Sequence, residues 1–149
     1  MNIADIMTEK NIFIGIKSNS KREFLQELSS QASAITGIDE RTIFDTLLER
    51  ENLGSTGFGS GTALPHGRFE ALDKVHAFLV KPAAPMEFDA IDGKPVDLAF
   101  VLLSPEGNGA DHLTALAKLS RILKDEALCQ KLRQIYKPVE LFALLNNEQ

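Results

Sequence analysis

The residues with the clearest chemical potential in this chain are its histidines, of which the 149-residue sequence contains three. His66 stands between Pro65 and Gly67. Proline fixes the backbone before the ring and glycine leaves it free afterwards, so this frame predicts an imidazole held stiffly at the surface with an open approach. Such a ring can act as a nucleophile near pH 7, because the unperturbed pKa of histidine is about 6.5.

The other two histidines stand in different contexts. His112 follows a glycine-containing loop and lies in the first turn of a predicted helix, where free backbone amides and the helix dipole favour an anion. It equally fits a structural residue packed over Leu116 at the mouth of the core. His76 lies in an alternating strand pattern without metal-ligand spacing, which favours a structural role.

Residues 54–67 form the most unusual segment, because five glycines and several hydroxyl side chains replace any hydrophobic periodicity. Its spacing is not G-x-G-x-x-G, and no lysine follows a glycine as a P-loop requires. A hydrolase triad would need a serine nucleophile, but none of the candidates has a G-x-S-x-G elbow; they are Ser55, Ser60 and Ser104. The segment therefore predicts neither a nucleotide site nor a serine hydrolase.

A metal site is the next alternative. Zinc bound by His66, His112 and Asp111 would lack the usual H-x-x-x-H or H-E-x-x-H spacing. The neighbouring carboxylates Glu49 and Glu51 fit charges on a solvated helix face. The residue spacing thus does not favour a metal.

Composition excludes several function classes. Sixteen basic and 21 acidic residues give a net charge of −5 with no Lys/Arg-rich stretch, so nucleic acid and anionic membranes are poor partners. No apolar run approaches the ~18 residues of a membrane span, so direct membrane insertion is not expected. Cys129 is the single cysteine, which rules out an internal disulfide and favours a reducing, cytoplasmic location.

Hydrophobic periodicity and turn residues indicate the elements that position these side chains. A β-branched run predicts a strand at Ile12–Ile16, and capping residues Ser20 and Asp39 predict the next two helices. Further strands and helices are predicted at 75–80, 96–103, 111–124, after Asp125 and from Pro138. The continuously apolar strand at 96–103 is typical of a central strand covered on both faces. We expect one α/β domain over residues 1–149, with a mixed β-sheet sandwiched between helical layers.

Together these features resemble the IIA domains of the bacterial phosphotransferase system, mannitol/fructose type. Four linked places carry the resemblance in the family's order and approximate spacing: Glu49-Arg50-Glu51, Ser55-Thr56-Gly57, Ala63-Leu64-Pro65-His66-Gly67 and His112 at a helix start. Within the family, residues 86–92 and 110–123 look most like the nitrogen-regulatory branch, IIA-Ntr. The resemblance covers nearly the whole chain.

The resemblance implies a phosphoryl carrier. His66 would accept the group from a phosphocarrier protein, HPr or NPr, itself charged by enzyme I from phosphoenolpyruvate. Arg50 and His112 would stabilise the phosphoryl oxygens, and no metal or organic cofactor would be required. The other ring nitrogen of His66 is expected to donate to a backbone carbonyl that the sequence does not identify. Weaker supporting candidates, which alternatively only cap turns, are Ser55, Thr56 and Thr62.

Partners are implied on both sides of the relay. Phe58 and Phe69 flank the site, and their rings either dock the phosphocarrier or fold inward. Downstream, a nitrogen-branch member would bind regulatory proteins such as potassium transport and sensor-kinase proteins. Three alternatives stay open: a sugar-specific IIA component passing phosphate to a IIB partner, a phosphorylation-independent anion-sensing module, and a metal hydrolase.

Overall fold

The structure is a computed structural model that describes residues 1–147. The last two residues of the predicted domain lie outside the described residues. The helices are α1 (Ile3–Ile6), α2 (Lys21–Thr36), α3 (Glu40–Leu53), α4 (Gly109–Lys124), α5 (Glu126–Gln134) and α6 (Pro138–Asn147). The strands are β1 (Ile12–Ile16), β2 (Gly57–Gly59), β3 (Thr62–Ala63), β4 (His66–Phe69), β5 (His76–Pro82) and β6 (Leu98–Pro105).

The six strands form one mixed sheet. Its order is β1-β5-β6-β3-β2, and β4 also pairs with β6. Strand β6 is antiparallel to β5 and parallel to β3 and β4, and all eight of its residues are buried. The apolar run predicted at 96–103 is therefore the central strand, although the strand begins and ends two residues later than predicted.

Helices cover both faces of the sheet, which confirms the predicted architecture. Because side chains alternate across a strand, Ala99, Val101 and Leu103 of β6 join one apolar cluster with residues of α2 and α3. Leu98, Phe100 and Leu102 join a second cluster with residues of α1, α4, α5 and α6. The core is thus two apolar layers separated by the sheet.

The predicted starts of α2, α3 and α5 also match the structure, whereas α4 begins at Gly109, two residues before the predicted start at 111. Ser20 accepts a hydrogen bond from the Glu23 amide at 3.1 Å at the start of α2, and Gly37, with a φ of +80°, ends it. Asp39 and Asp125 cap α3 and α5 in the same way. The sequence did not predict β2, β3 and β4, because these strands are only two to four residues long and lack an apolar period.

Across the described residues, no helix combines the length and the apolar character that crossing a bilayer requires.

Candidate functional site

Strand alternation in β4 decides which side chains reach the site. His66 and Arg68 point to the face covered by α4, whereas Gly67 and Phe69 point to the face covered by α3. A Cβ atom at Gly67 would lie 2.8 Å from the side chain of Thr46 in α3. Glycine is required there because α3 packs closely against the strand, and this packing holds the backbone beside His66.

The ring of His66 is held in one tautomer. Its Nδ1 atom lies 2.8 Å from the carbonyl oxygen of Leu64, and because a carbonyl only accepts, Nδ1 carries the proton. The Nε2 atom is left with a lone pair. Burial lowers the pKa of His66 below its usual value, and the positive charge of Arg50 lowers it further, although the Leu64 bond and Glu51 act in the opposite direction. The ring is therefore neutral at pH 7.

His112 lies beside His66. It stands in the first turn of α4, and the two ring centroids are 6.1 Å apart. Its Nδ1 atom lies 2.7 Å from the hydroxyl oxygen of Ser104 at the end of β6. Burial lowers the pKa of His112, and the positive charges of Arg68 and of a protonated His66 lower it further. The structure thus brings together the two histidines that the sequence placed 46 positions apart (112 − 66).

Arg50 completes the cluster from a third element. It lies in the last turn of α3, where its Nη1 atom donates to the carbonyl oxygen of Gly54 at 2.8 Å. Arg50 and His66 line the same open cleft of about 390 Å³. The other lining residues come from residues 54–67, called here the glycine segment, from Ile91 and from α4. A guanidinium and an imidazole lone pair therefore face one space large enough for a phosphoryl group, and the buried imidazole of His112 lies next to His66.

The three hydroxyl candidates have other hydrogen-bond partners. Ser55 donates to the carbonyl oxygen of Phe88 at 2.6 Å, Thr56 donates to the Glu51 carboxylate, and Thr62 donates to the carbonyl oxygen of Gly59 at 2.9 Å. Each bond braces the glycine segment. The geometry favours the alternative that these hydroxyls fix turns.

Glu51 corrects one interpretation of the sequence. Its side chain is buried rather than solvated, accepts from the Thr56 amide, and pairs with Lys21 at 3.2 Å between Nζ and Oε2. Helical spacing alone did not separate it from Glu49, which is exposed. The signal that distinguishes them is Lys21, which is distant in sequence and reaches Glu51 from α2.

The two phenylalanines differ in exposure. Phe58 is 42% exposed at the cleft, which leaves its docking role open. Phe69 is only 3% exposed and packs in the core layer under α2 and α3, so the hypothesis that Phe69 docks a partner is wrong. Because β4 is a strand, which the sequence did not predict, a residue three positions after His66 lies on the opposite face. Sequence reasoning missed Ile91 and Leu113, which are 98% and 66% exposed.

Arg68 is a further residue that the sequence interpretation missed. Its guanidinium donates to the carbonyl oxygens of Pro105 and Glu106, both at 2.9 Å, so it ties β4 to the loop that begins α4. The signal for it was its place two residues after His66, on the same face of the strand. Within residues 1–147, no three histidine, cysteine or carboxylate side chains converge as a metal site requires.

A larger cleft of about 460 Å³ lies between the β2–β3 turn and α5. In it, Arg133 donates to Asp97 and to the carbonyl oxygen of Ser60, at 2.9 and 2.8 Å. These bonds fasten the turn to α5. The groups suited to phosphoryl chemistry lie in the smaller cleft.

Known proteins resemble the chain over most of its length. A family described as "Phosphoenolpyruvate-dependent sugar phosphotransferase system, EIIA 2" matches residues 5–148. The nitrogen regulatory protein of Bradyrhizobium diazoefficiens is 43% identical over 145 residues, which cover 97% of this chain and 95% of that protein. The fructose-specific EIIA component of Haloferax volcanii is 39% identical over 110 residues, covering 74% and 70%. The crystal structure of IIA-Ntr from Neisseria meningitidis has a TM-score of 0.90 at 32% identity, covering 96% of this chain and 98% of that chain, and confirms the predicted fold.

Proposed function

The chain belongs to the EIIA 2 family of the phosphoenolpyruvate-dependent sugar phosphotransferase system, and we propose that it carries a phosphoryl group on His66. The observation that supports this most directly is the bond from His66 Nδ1 to Leu64, which leaves the Nε2 lone pair beside Arg50. A neutral imidazole nitrogen attacks phosphorus near pH 7, and the phosphoramidate can pass its group on. The protein then acts as a stoichiometric carrier.

The proposed transfer conserves atoms and electrons. The lone pair of His66 Nε2 attacks the phosphorus of a phosphohistidine on the donor protein. The donor's N–P bond breaks as the new one forms, and the donor imidazole keeps the electron pair of the broken bond. The protein's part is alignment and stabilisation of charge on the equatorial oxygens. Arg50 supplies a planar cation, and His112 with the first amides of α4 supplies neutral donors.

The donor is the phosphocarrier protein HPr or its paralogue NPr. Phe58 and Ile91 both line the cleft and expose apolar surface around His66. Exposed apolar side chains grouped at one cleft are typical of a protein-docking surface. We therefore retain Phe58 as a docking residue and add Ile91.

For the downstream role, we propose a nitrogen-related regulatory function. The support is the similarity to proteins named nitrogen regulatory protein and IIA-Ntr, at 43% and 32% identity. In this role, the phosphorylation state of His66 is a signal to regulatory partners, with potassium transport and sensor-kinase proteins as the partner classes. The fructose-specific relative favours a second candidate, in which a IIB protein receives the group.

A labelling experiment tests the carrier function. The purified protein is incubated with phosphoenolpyruvate, enzyme I and either HPr or NPr, and the label is located by mass spectrometry under non-acidic conditions. We expect one phosphoryl group, on His66. An unlabelled protein in a mixture that labels an authentic homologue contradicts the proposal, and a label elsewhere overturns the site. Discharge onto a fructose-specific IIB protein would identify the sugar-transport role.

A further inference from the structure

Ser104 is a buried polar residue that the proposed transfer has not yet used. It lies in β6 directly opposite Arg68 of β4, and its side chain is inaccessible to solvent. Its hydroxyl oxygen lies 2.7 Å from His112 Nδ1. In the part of the chain that the structure describes, this is the hydroxyl's only hydrogen bond.

Hydrogen-bond accounting assigns the direction of that bond. If His112 Nδ1 carried the proton and donated, the Ser104 hydroxyl hydrogen would be buried without an acceptor among residues 1–147. If Ser104 donates, one bond satisfies both the hydroxyl hydrogen and the Nδ1 lone pair. An unsatisfied buried donor costs about 1–3 kcal/mol, so the second arrangement is favoured. The proton of a neutral His112 then lies on Nε2.

The position of that proton matters because His112 has only one N–H when it is neutral. Burial and the positive charge of Arg68 disfavour the doubly protonated ring. With Nδ1 occupied by Ser104, Nε2 is the nitrogen left to face a group on His66. An Nε2 lone pair would repel a phosphoryl oxygen, whereas Nε2–H donates to it.

We propose that Ser104 is a positioning residue that sets the tautomer of His112, so that Nε2–H donates to the phosphoryl group carried by His66. The inference rests on the proposed carrier function for its consequence, but the tautomer itself is a property of the unphosphorylated protein. The Leu64 carbonyl accepts a hydrogen bond from His66 Nδ1, whereas the Ser104 hydroxyl donates one to His112 Nδ1. One ring is thereby left as a nucleophile and its neighbour as a donor.

The test compares the wild type with Ser104→Ala, Ser104→Thr and the matched control Ser29→Ala. Ser29 is also fully buried, but within residues 1–147 its hydroxyl oxygen has no hydrogen-bond partner, so the same change removes no bond. Nitrogen-15 NMR of the unphosphorylated proteins reports which nitrogen of His112 carries the proton. Initial rates of phosphoryl acceptance are measured with HPr or NPr, and thermal unfolding shows whether each variant is folded.

We expect protonation on Nε2 in the wild type, Ser104→Thr and Ser29→Ala, and a mixture of tautomers in Ser104→Ala. The acceptance rate of Ser104→Ala should fall roughly tenfold, less than the 10²–10³ cost of deleting a donor outright, because part of the population keeps the productive tautomer. Threonine keeps the hydroxyl and should restore most of the rate.

Three results overturn the proposal. They are protonation on Nδ1 in the wild type, an unchanged tautomer and rate in Ser104→Ala, and a slowed Ser104→Ala with an unchanged tautomer, which would mean a merely structural serine. If Ser104→Ala does not fold, the wild-type tautomer alone decides. If the wild type accepts no phosphoryl group, the carrier function is refuted instead. The NMR result then still decides the tautomer of His112 separately.

Discussion

The two sides of the cleft hold their functional groups by different means. We define the imidazole side as Leu64, His66, Ser104 and His112, and the glycine-loop side as Lys21, Arg50, Glu51, Thr56 and Phe58. On the imidazole side, each ring is fixed by one neutral hydrogen bond. On the glycine-loop side, Lys21, Glu51 and Arg50 bring full charges to the end of α3.

The difference follows from what each side has to supply. A neutral hydrogen bond fixes which ring nitrogen carries the proton without adding charge to the nucleophile. Charged groups attract the phosphoryl oxygens, but a cation beside a histidine lowers its pKa and a carboxylate raises it. The imidazole side should therefore supply the nucleophile and a neutral donor, and the glycine-loop side should supply charge stabilisation, docking and stability.

The largest expected effect comes from the nucleophile on the imidazole side. His66→Ala should abolish phosphoryl acceptance, because no other nitrogen in the cleft combines a fixed lone pair with access. The matched control is His76→Ala, which removes a partly buried strand histidine outside the cleft. Intact-mass measurement after incubation with the donor relay should show a labelled control and an unlabelled His66→Ala. A labelled His66→Ala would move the chemistry away from the imidazole side.

The next effect comes from the cation on the other side. Arg50→Ala should slow acceptance by roughly 10², the cost of losing one preorganised donor to the transition state. Arg41→Ala, which changes an exposed arginine of the same helix, is the control. Single-turnover rates at saturating donor measure the effect. Equal rates for the two variants would remove Arg50 from the site.

Arg50→Ala should also change the pH dependence of phosphoryl acceptance. The wild-type ring accepts while it is neutral, so acceptance falls as the pH drops through a pKa held below 6.5. Removing Arg50 takes away one of the causes that lower this pKa. The acid limb of the acceptance profile should therefore move to higher pH. An NMR titration of His66 in both proteins measures the shift, and a limb that moves to lower pH contradicts this account.

A stability effect separates the two sides further. Glu51→Gln leaves Lys21 without its carboxylate partner, although Lys21 keeps its contact with the carbonyl oxygen of Phe88. We expect the free energy of unfolding to fall by about 2 kcal/mol, below the 3–5 kcal/mol typical of fully buried pairs, because Lys21 is partly exposed. Glu49→Gln changes an exposed carboxylate two residues away and should cost nothing measurable. Urea unfolding compares them. Identical midpoints would show that the ion pair does not hold the glycine segment.

The same contrast explains what the sequence could predict. His66, Arg50 and His112 could be proposed as site residues because the motif around each is local. The burial of Glu51 and the role of Ser104 depend on partners 30 and 8 positions away (51 − 21 and 112 − 104), and no local pattern specifies those contacts. The fold was predictable because β6 is apolar throughout and the helix caps are strong. The short strands that carry the site have too few residues for a period to show.

The smallest expected effect concerns docking on the glycine-loop side. Phe58 exposes 42% of its surface at the cleft, and Phe58→Ser should lower the acceptance rate about fivefold at limiting donor, close to 1 kcal/mol of lost apolar contact. The rate at saturating donor should not change, because a phenyl ring has no N–H or O–H group with which to stabilise the transferred phosphoryl group.

Val139→Ser is the control, because Val139 is 59% exposed on α6, which packs near β1 at the far edge of the sheet. A titration of the donor at fixed carrier separates the two regimes. If Phe58→Ser lowered the saturating rate instead, the ring would act in the chemical step, as Arg50 does, and its assignment to docking would be wrong. If both serine variants matched the wild type, docking would rest on other exposed apolar side chains such as Ile91, whose substitution is the natural next step.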